Sequence, residues 1–359
     1  MAIKQVHYNI DNIDRLNANY NLIYGEKSNG KSYQVKHKKA VENYLKTGNR
    51  FILMRRWADD LTSDWIEKYF SDVDVQRLTN NKYNCITMYR RELFLSNLTE
   101  EYKVKRGEKI GYAIPLNLEQ RYSSASFLDV TNIIYEEFMS RGVYIAREPS
   151  KLMTFYSTVD RKRGTTKLWL IGNTVSRVCP YLNDWDLIEI MKHQKQGEIK
   201  TKVIHNVEND VKIAIEYCKS SGGKTMAIGS GSTMIDSGSW QTDKQPHLPK
   251  SKKCYKILYR FGFQYKGFRF ICEYLQDKEN GTNKCWFIYP TNSEFKPKTI
   301  VFSDEIKISR YWQRNIYDIS IKNDKLKSLF NTFKENMIFY SDDMCGTDFK
   351  QVIDFQIRR

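Results

Sequence analysis

Residues Gly25, Glu26, Lys27, Ser28, Asn29, Gly30, Lys31 and Ser32 match the pattern G-x-x-x-x-G-K-[ST] in full. This stretch constrains the fold more than any other. The glycines let the backbone curl and point its N–H groups inward at phosphate oxygens. Lys31 can reach the β- and γ-phosphates, and Ser32 can ligate Mg²⁺. Such a loop needs a strand to deliver it and a helix whose N-terminus adds the positive end of its dipole. The sequence supplies both. Residues 21–24 (NLIY) form a short apolar strand, and residues 31–47 read as a helix closed by Gly48. The ligand implied is ATP with Mg²⁺.

Length and charge narrow the setting. A chain of 359 residues favours about two domains. Hydrophobic content of 41% with 28% charged residues belongs to a globular chain, not a disordered one. The excess of 58 basic over 42 acidic residues, +16, attracts polyanions. The 24 Tyr and 18 Phe fit either β-rich packing or stacking on nucleic acid. The seven cysteines include no C-x-x-C pair, and with the five histidines they show no metal-ligand spacing, so reduced thiols of a cytosol are expected. The N-terminus (MAIKQVHYNIDNID) lacks the apolar core of a signal peptide, and no run of about 18 apolar residues predicts a membrane span.

Strand and helix signals alternate through the first half. Strands are expected at 51–54 (FILM), 112–116 (YAIPL), 131–135 (TNIIY) and 167–171 (KLWLI), with a helix over about 60–70 and a hairpin over 83–95. These predict an α/β, three-layer P-loop ATPase domain over residues 1–195. Residues 196–220 read as helical and polar. The Gly- and Ser-crowded stretch 220–239, then Pro246 and Pro249 among lysines, mark 196–251 as a linker region. Residues 254–275 read as a β-hairpin or meander, 285–289 and 299–302 as strands, and 324–339 as an amphipathic helix. A smaller α+β C-terminal domain is therefore expected over 252–359.

A P-loop site needs an acid at the end of a buried strand to hold the metal's water shell, and hydrolysis needs a base or water-positioning group beside it. Ile133-Ile134-Tyr135-Glu136-Glu137 supplies both: Glu136 for the metal, Glu137 for the attacking water. Asn173, after KLWLI, is placed to sense the γ-phosphate or the water, or else is a turn residue. Arg55 and Arg56 follow FILM; they sit near the nucleotide, steady a lid, or are a solvated pair. Arg161-Lys162-Arg163 offers either an arginine that reaches a neighbour's γ-phosphate or an ordinary basic loop.

Five signatures in order, YGEKSNGKSY, FILMRRW, YAIPL, NIIYEEF and LIGNTVSRVCPY, resemble the DNA-encapsidation ATPases of phi-29-like short-tailed phages. The resemblance is good over about residues 20–190 and weaker beyond. It implies an additional-strand P-loop ATPase related to the FtsK and HerA translocases. It also implies a homo-oligomeric ring, a pentamer, at the portal of an empty procapsid in the host cytoplasm, driving double-stranded DNA inward. A scaffold RNA is a possible further partner, and no membrane is involved. The resemblance puts the metal-site acid on Glu136, the catalytic glutamate on Glu137 and the trans-acting arginine on Arg163. It gives the second domain a nuclease-like fold without catalysis. Two departures stand out: the metal-site acid is usually Asp, and residues 100–109 form a basic insertion. Lys103, Lys105, Arg106 and Lys109 there are candidate DNA contacts.

The alternative function is a packaging enzyme that also cuts DNA. It needs clustered acids for two metals, but Glu273, Asp304 and Asp348 are scattered in the sequence. A C-terminal docking module is compatible with a motor. A small-molecule kinase fits the adjacent acids poorly.

Overall fold

The computed structural model of the chain describes residues 7–101, 103–205, 209–222, 237–305, 307, 309–313, 331–333 and 335–357. Contacts divide it into two units, Met1–Val175 with Glu189–Trp240, and Ser176–Ile188 with Gln241–Arg359.

The first unit is organised by apolar runs too continuous for a half-exposed sheet. β1 (Tyr20–Gly25), β2 (Arg50–Arg55), β3 (Cys85–Tyr89), β4 (Glu92–Leu98), β5 (Val104–Pro115), β6 (Val130–Glu136), β7 (Lys167–Asn173), β8 (Glu198–His205) and β9 (Asp210–Tyr217) form one sheet. Its order is β3-β4-β5-β2-β6-β7-β1-β9-β8. The central six strands, β5 to β9 in that order, are parallel. Parallel strands covered on both faces call for runs such as FILM and NIIY. Side chains alternate between the faces. Ile23, Leu53, Ile134, Trp169 and Ala214 share a core with Val35, Ala40, Val41, Ile66 and Phe70 of the helices on one side. Helix Glu148–Asp160 lies on the other, where Tyr156 meets Tyr20 edge-on at 5.2 Å between ring centroids. Three layers result.

The helix expected over 31–47 is present as α-helix Lys31–Val35, a π-helical segment Lys36–Val41 and α-helix Glu42–Thr47. Gly48 ends it in the left-handed region, at φ 74°. The hairpin β3–β4 turns on Arg90 and Arg91, both at positive φ. Arg91 is held there by donating to the carbonyl oxygens of Leu61 (2.7 Å) and Ala58 (3.3 Å).

Residues 196–205 and 209–220 are not helical. They form the antiparallel hairpin β8–β9, which extends the ATPase sheet past β1. Ile213, Ala214 and Ile215 of β9 are fully buried. Lys200 and Lys202 lie on the edge strand β8, where charges protect an open edge. That polarity imitates a solvated helix. Of the region expected as linker, the part up to Trp240 belongs to the first unit and the part from Gln241 to the second; residues 206–208 and 223–236 lie outside the described residues.

β9 also carries Glu216 inside, 6% exposed, where Tyr8 Oη donates to it at 2.7 Å. Burial pushes this carboxyl from its ordinary 4.5 up to about 7. The folded chain then holds a proton that the unfolded chain releases near its lower pKa. This stability is complete below the unfolded value and is lost as pH rises through about 7. Glu216→Gln should flatten the loss between about pH 5 and about pH 8, and gain on the order of 2–3 kcal/mol at the upper end. Urea unfolding at several pH values measures this. An unchanged pH slope would show that Glu216 is solvated.

The second unit has a sheet of order β14-β13-β10-β11-β12-β15. Its strands are β10 (Tyr255–Tyr265), β11 (Phe268–Asp277), β12 (Lys284–Pro290), β13 (Val301–Ser303), β14 (Trp312–Gln313) and β15 (Ile338–Tyr340). β10, β11 and β12 form the expected antiparallel meander. β13, β14 and β15 each run parallel to their neighbours. The helix expected over 324–339 is helical at 331–333 and 335, but it cannot reach 339, because Ile338–Tyr340 is paired with β12. Residues 324–330 lie outside the described residues. Helix Asp343–Ile357 packs Phe349 against Phe263 and Phe270 of the sheet, at 5.5 and 5.2 Å.

Candidate active site

Because β1, β6 and β7 are parallel neighbours, their C-terminal ends share one edge of the sheet. Gly25 of β1 sits opposite Asn173 of β7, and Glu136 of β6 opposite Ile171. The phosphate loop, the acid-ended strand and Asn173 therefore converge, although Asn173 is 142 residues from Lys31. Gly30 takes φ 95°, a left-handed conformation that suits glycine, and no side chain caps the helix that follows it. The first N–H of that helix, that of Lys31, donates to Asn29 Oδ1 at 3.3 Å, and the N-terminal end presents its positive dipole to an anion. Lys27 and Ser28 are exposed at the crown of the loop.

Lys31 is buried. Its Nζ donates to the Glu26 carbonyl, to Asn29 Oδ1 at 3.1 Å and to Asn173 Oδ1 at 3.3 Å. Those acceptors are neutral, and burial pushes the ammonium pKa down. A dry ammonium with neutral acceptors favours an incoming anion such as phosphate. The side chain of Glu26 has another use. It accepts from Ser220 Oγ (2.6 Å), Ser221 N (2.8 Å) and Ser221 Oγ (2.6 Å), which ties the phosphate loop to the chain leaving β9.

Glu136 ends β6 and is buried. Ser32 Oγ donates to its Oε2 at 3.0 Å, and Tyr69 Oη to its Oε1 at 2.6 Å. Burial pushes this carboxyl up, opposed by the two hydrogen bonds. Ser32 and Glu136 together offer only hard oxygen donors, the set that suits Mg²⁺. Glu137 then takes φ 58°, which turns the chain so that Phe138 N donates to the Ile171 carbonyl at 3.2 Å. The two carboxylates part at this turn. Glu137 is exposed and accepts from Arg55 at 2.9 Å.

The arginine pair divides in the same way. Arg55 faces Glu137 and lies 3.7 Å from Asp60. Arg56 is buried, and its Nε and an Nη donate to the two oxygens of Glu148 at 2.8 and 3.0 Å. It also donates to the carbonyls of Phe138 (3.0 Å) and Glu137 (3.4 Å). Arg56 is thus a clamp behind the acid pair. Glu148, Tyr69, Ser220 and Ser221 have no motif, and only the fold reveals their part. Helix-first acidity at Glu148 is the sole sequence hint.

Arg163 precedes β7, so it lies toward the edge of the sheet opposite its own phosphate loop. Its guanidinium donates to the carbonyls of Phe127, Leu128, Val130, Val159 and Asp160. Of the basic insertion, Lys103 pairs with Glu101 (2.7 Å), Lys109 pairs with Glu92 (3.0 Å), Arg106 covers the Tyr89 ring (4.3 Å), and Lys105 is exposed. Among the described residues, no group of three or more His, Cys, Asp or Glu is disposed to hold a metal. Glu273 accepts from Lys252 (2.6 Å), Arg260 Nε (2.8 Å) and Tyr289 (3.0 Å); Asp348 pairs with Arg177; Asp304 accepts from Lys266 N at 3.4 Å. Among the described residues, no helix is long and apolar enough to cross a membrane.

A phosphate loop delivered by a parallel strand, with an acid pair ending a strand two places along the same sheet, defines a P-loop ATPase. Its kind follows from comparison with known proteins. The sequence pattern of the family described as Podovirus DNA encapsidation protein (Gp16) matches residues 2–343, and the chain belongs to that family. It is similar to the DNA packaging protein of Bacillus phage phi29, 24% identical over 268 residues, 74% of each chain. That of Bacillus phage B103 is 25% identical over 252 residues, 69% of this chain and 72% of its own. In fold it is similar to a chain of the bacteriophage Phi-29 viral genome packaging motor assembly, with a TM-score of 0.58 and 19% identity, covering 98% of this chain and 99% of that one. The chain is a DNA-packaging ATPase, a motor that drives DNA packaging with ATP.

Proposed function

We propose that Gly25 to Ser32 cradle the triphosphate of ATP, that Ser32 and Glu136 hold Mg²⁺, and that Glu137 orients and deprotonates the attacking water. The approach of Ser32 Oγ to Glu136 Oε2, 3.0 Å across 104 residues of sequence, carries this reading. Mg²⁺ supplies charge neutralisation at the phosphates. Lys31 binds the β- and γ-phosphates, and Asn173 steadies its ammonium from β7. Arg55 holds Glu137 until substrate is in place. The phi29 motor assembly and the net charge of +16 support a homo-oligomeric ring, pentameric by family resemblance, around double-stranded DNA. The ring sits at the portal vertex of the procapsid in the host cytoplasm, with a scaffold RNA as a possible further partner. The second unit is proposed as a docking domain of nuclease-like fold. Its hairpin-then-parallel strand order supports the fold, and the pairing of Glu273 and Asp348 with basic side chains supports a loss of catalysis.

Arg163 is the proposed trans-acting group. Its place at the far edge from its own phosphates supports action on a neighbour, which requires that its bonds to residues 127–130 open. Glu137→Gln and Arg163→Ala proteins alone should each hydrolyse ATP at least about 10²-fold more slowly than wild type. An equal mixture should regain about a quarter of the wild-type rate, because intact halves meet at that share of random interfaces. A mixture no better than its components would show self-contained sites.

A further inference from the structure

Helix Ser63–Phe70 carries none of the motif residues, yet one of its faces reaches Glu136 directly and Glu137 through Arg55. Tyr69 Oη donates to Glu136 Oε1 at 2.6 Å, while Ser32 Oγ donates to Oε2 at 3.0 Å. Both oxygens of a buried carboxylate thus have a fixed donor, one from each side. The tyrosine ring is itself locked. It stacks on Trp65 at 4.8 Å, meets Phe70 edge-on at 4.9 Å, and lies beneath Lys36 Nζ at 4.5 Å. Lys36 belongs to the π-helical segment after the phosphate loop; it donates to the Tyr69 carbonyl and pairs with Asp72 at 2.5 Å. Four residues back, Trp65 carries the Arg55 guanidinium at 5.0 Å, and Arg55 holds Glu137.

A glutamate side chain has one more rotatable bond than an aspartate and loses more rotamer freedom when fixed. A second donor on the carboxylate removes that freedom before any ligand arrives, which is how preorganisation strengthens binding. We propose that Tyr69 is a positioning residue for the metal site, its hydroxyl holding one oxygen of Glu136 so that the other faces Ser32 and the divalent cation. The inference rests on Ser32 and Glu136 being the metal-holding pair.

Tyr69→Phe keeps the ring stack and removes the donor. The readout is Mn²⁺ binding to the full chain with ADP, followed by electron paramagnetic resonance, with metal-free ADP affinity as control. The Mn²⁺ dissociation constant should rise about tenfold, with ADP affinity held within about twofold. In a Glu136→Gln background the same change should add almost nothing, because the acceptor charge is gone. Replacing Tyr69 by 4-aminophenylalanine, which restores an N–H donor at the same reach, should recover part of the affinity, and it serves as the test if the Phe variant does not fold. An unchanged Mn²⁺ affinity in Tyr69→Phe, no recovery with 4-aminophenylalanine, or an equal loss in the Glu136→Gln background would overturn the inference. If Glu136→Gln alone leaves Mn²⁺ binding unchanged, the metal-site reading itself fails. If Glu136→Gln weakens binding and Tyr69→Phe does not, only the role of Tyr69 falls.

Discussion

Glu137→Gln should lower the ATP hydrolysis rate by about 10²–10⁴-fold, the contribution of a positioned general base, and leave ATP binding within about twofold. The substitution is nearly isosteric, and the amide oxygen can still accept from Arg55, which now holds the carboxylate at 2.9 Å. Nothing in the core depends on Glu137, because its side chain is 57% exposed. Its backbone is the special feature. At φ 58° it sits in a region that only a few per cent of non-glycine residues adopt. That conformation lets β6 place Glu136 inward at the phosphate loop and Glu137 outward at the site's mouth. Phosphate release, paired with binding of a fluorescent ATP analogue, separates the two steps. Hydrolysis within about threefold of wild type would remove Glu137 from the chemistry. DNA packaging should fail to the same extent as hydrolysis, because the nearly isosteric amide keeps the side chain's shape.

The sequence and structure agree wherever local chemistry dictates the answer. The phosphate loop, its preceding strand and the helix closed by Gly48 follow from glycine placement and apolar runs, and β6 with its two acids follows from the same logic. Disagreement begins where a pattern has two physical causes. In β8, EIKTKVIH alternates like a strand but is charged like a solvated helix, and only its pairing to β9 decides between them. Partners far apart in sequence were illegible for a different reason. Glu148 stands 92 residues from Arg56, and Tyr69 stands 67 from Glu136. No spacing rule connects such pairs; the strand order does. Arg55 and Arg56 show the limit most sharply. As neighbours at a strand end they read alike, yet one faces the exposed acid and the other is buried.

That burial predicts the largest effect on stability. Arg56→Ala should destabilise the chain by about 3–5 kcal/mol, because it takes a two-pronged guanidinium away from a buried carboxylate. Glu148 is 1% exposed, and it also accepts from Tyr135 Oη at 2.7 Å and Ile145 N at 2.8 Å. The guanidinium also packs over the Tyr144 ring at 4.5 Å, so the truncation removes contact area as well as charge. Replacing both partners, as Arg56→Met with Glu148→Leu, should recover most of this stability, because no lone charge stays buried. Hydrolysis should not recover with it. Arg56 donates to the carbonyls of Glu137 and Phe138, and thereby fixes the turn that aims the carboxylate proposed to act on water. A methionine cannot replace those bonds, so the double variant should fold well and hydrolyse slowly, by about tenfold or more. Urea unfolding with phosphate release distinguishes the two roles. A double variant that is stable and fully active would reduce the pair to a packing device. A single variant that loses under about 1 kcal/mol would mean that water reaches Glu148 and the clamp is not dry.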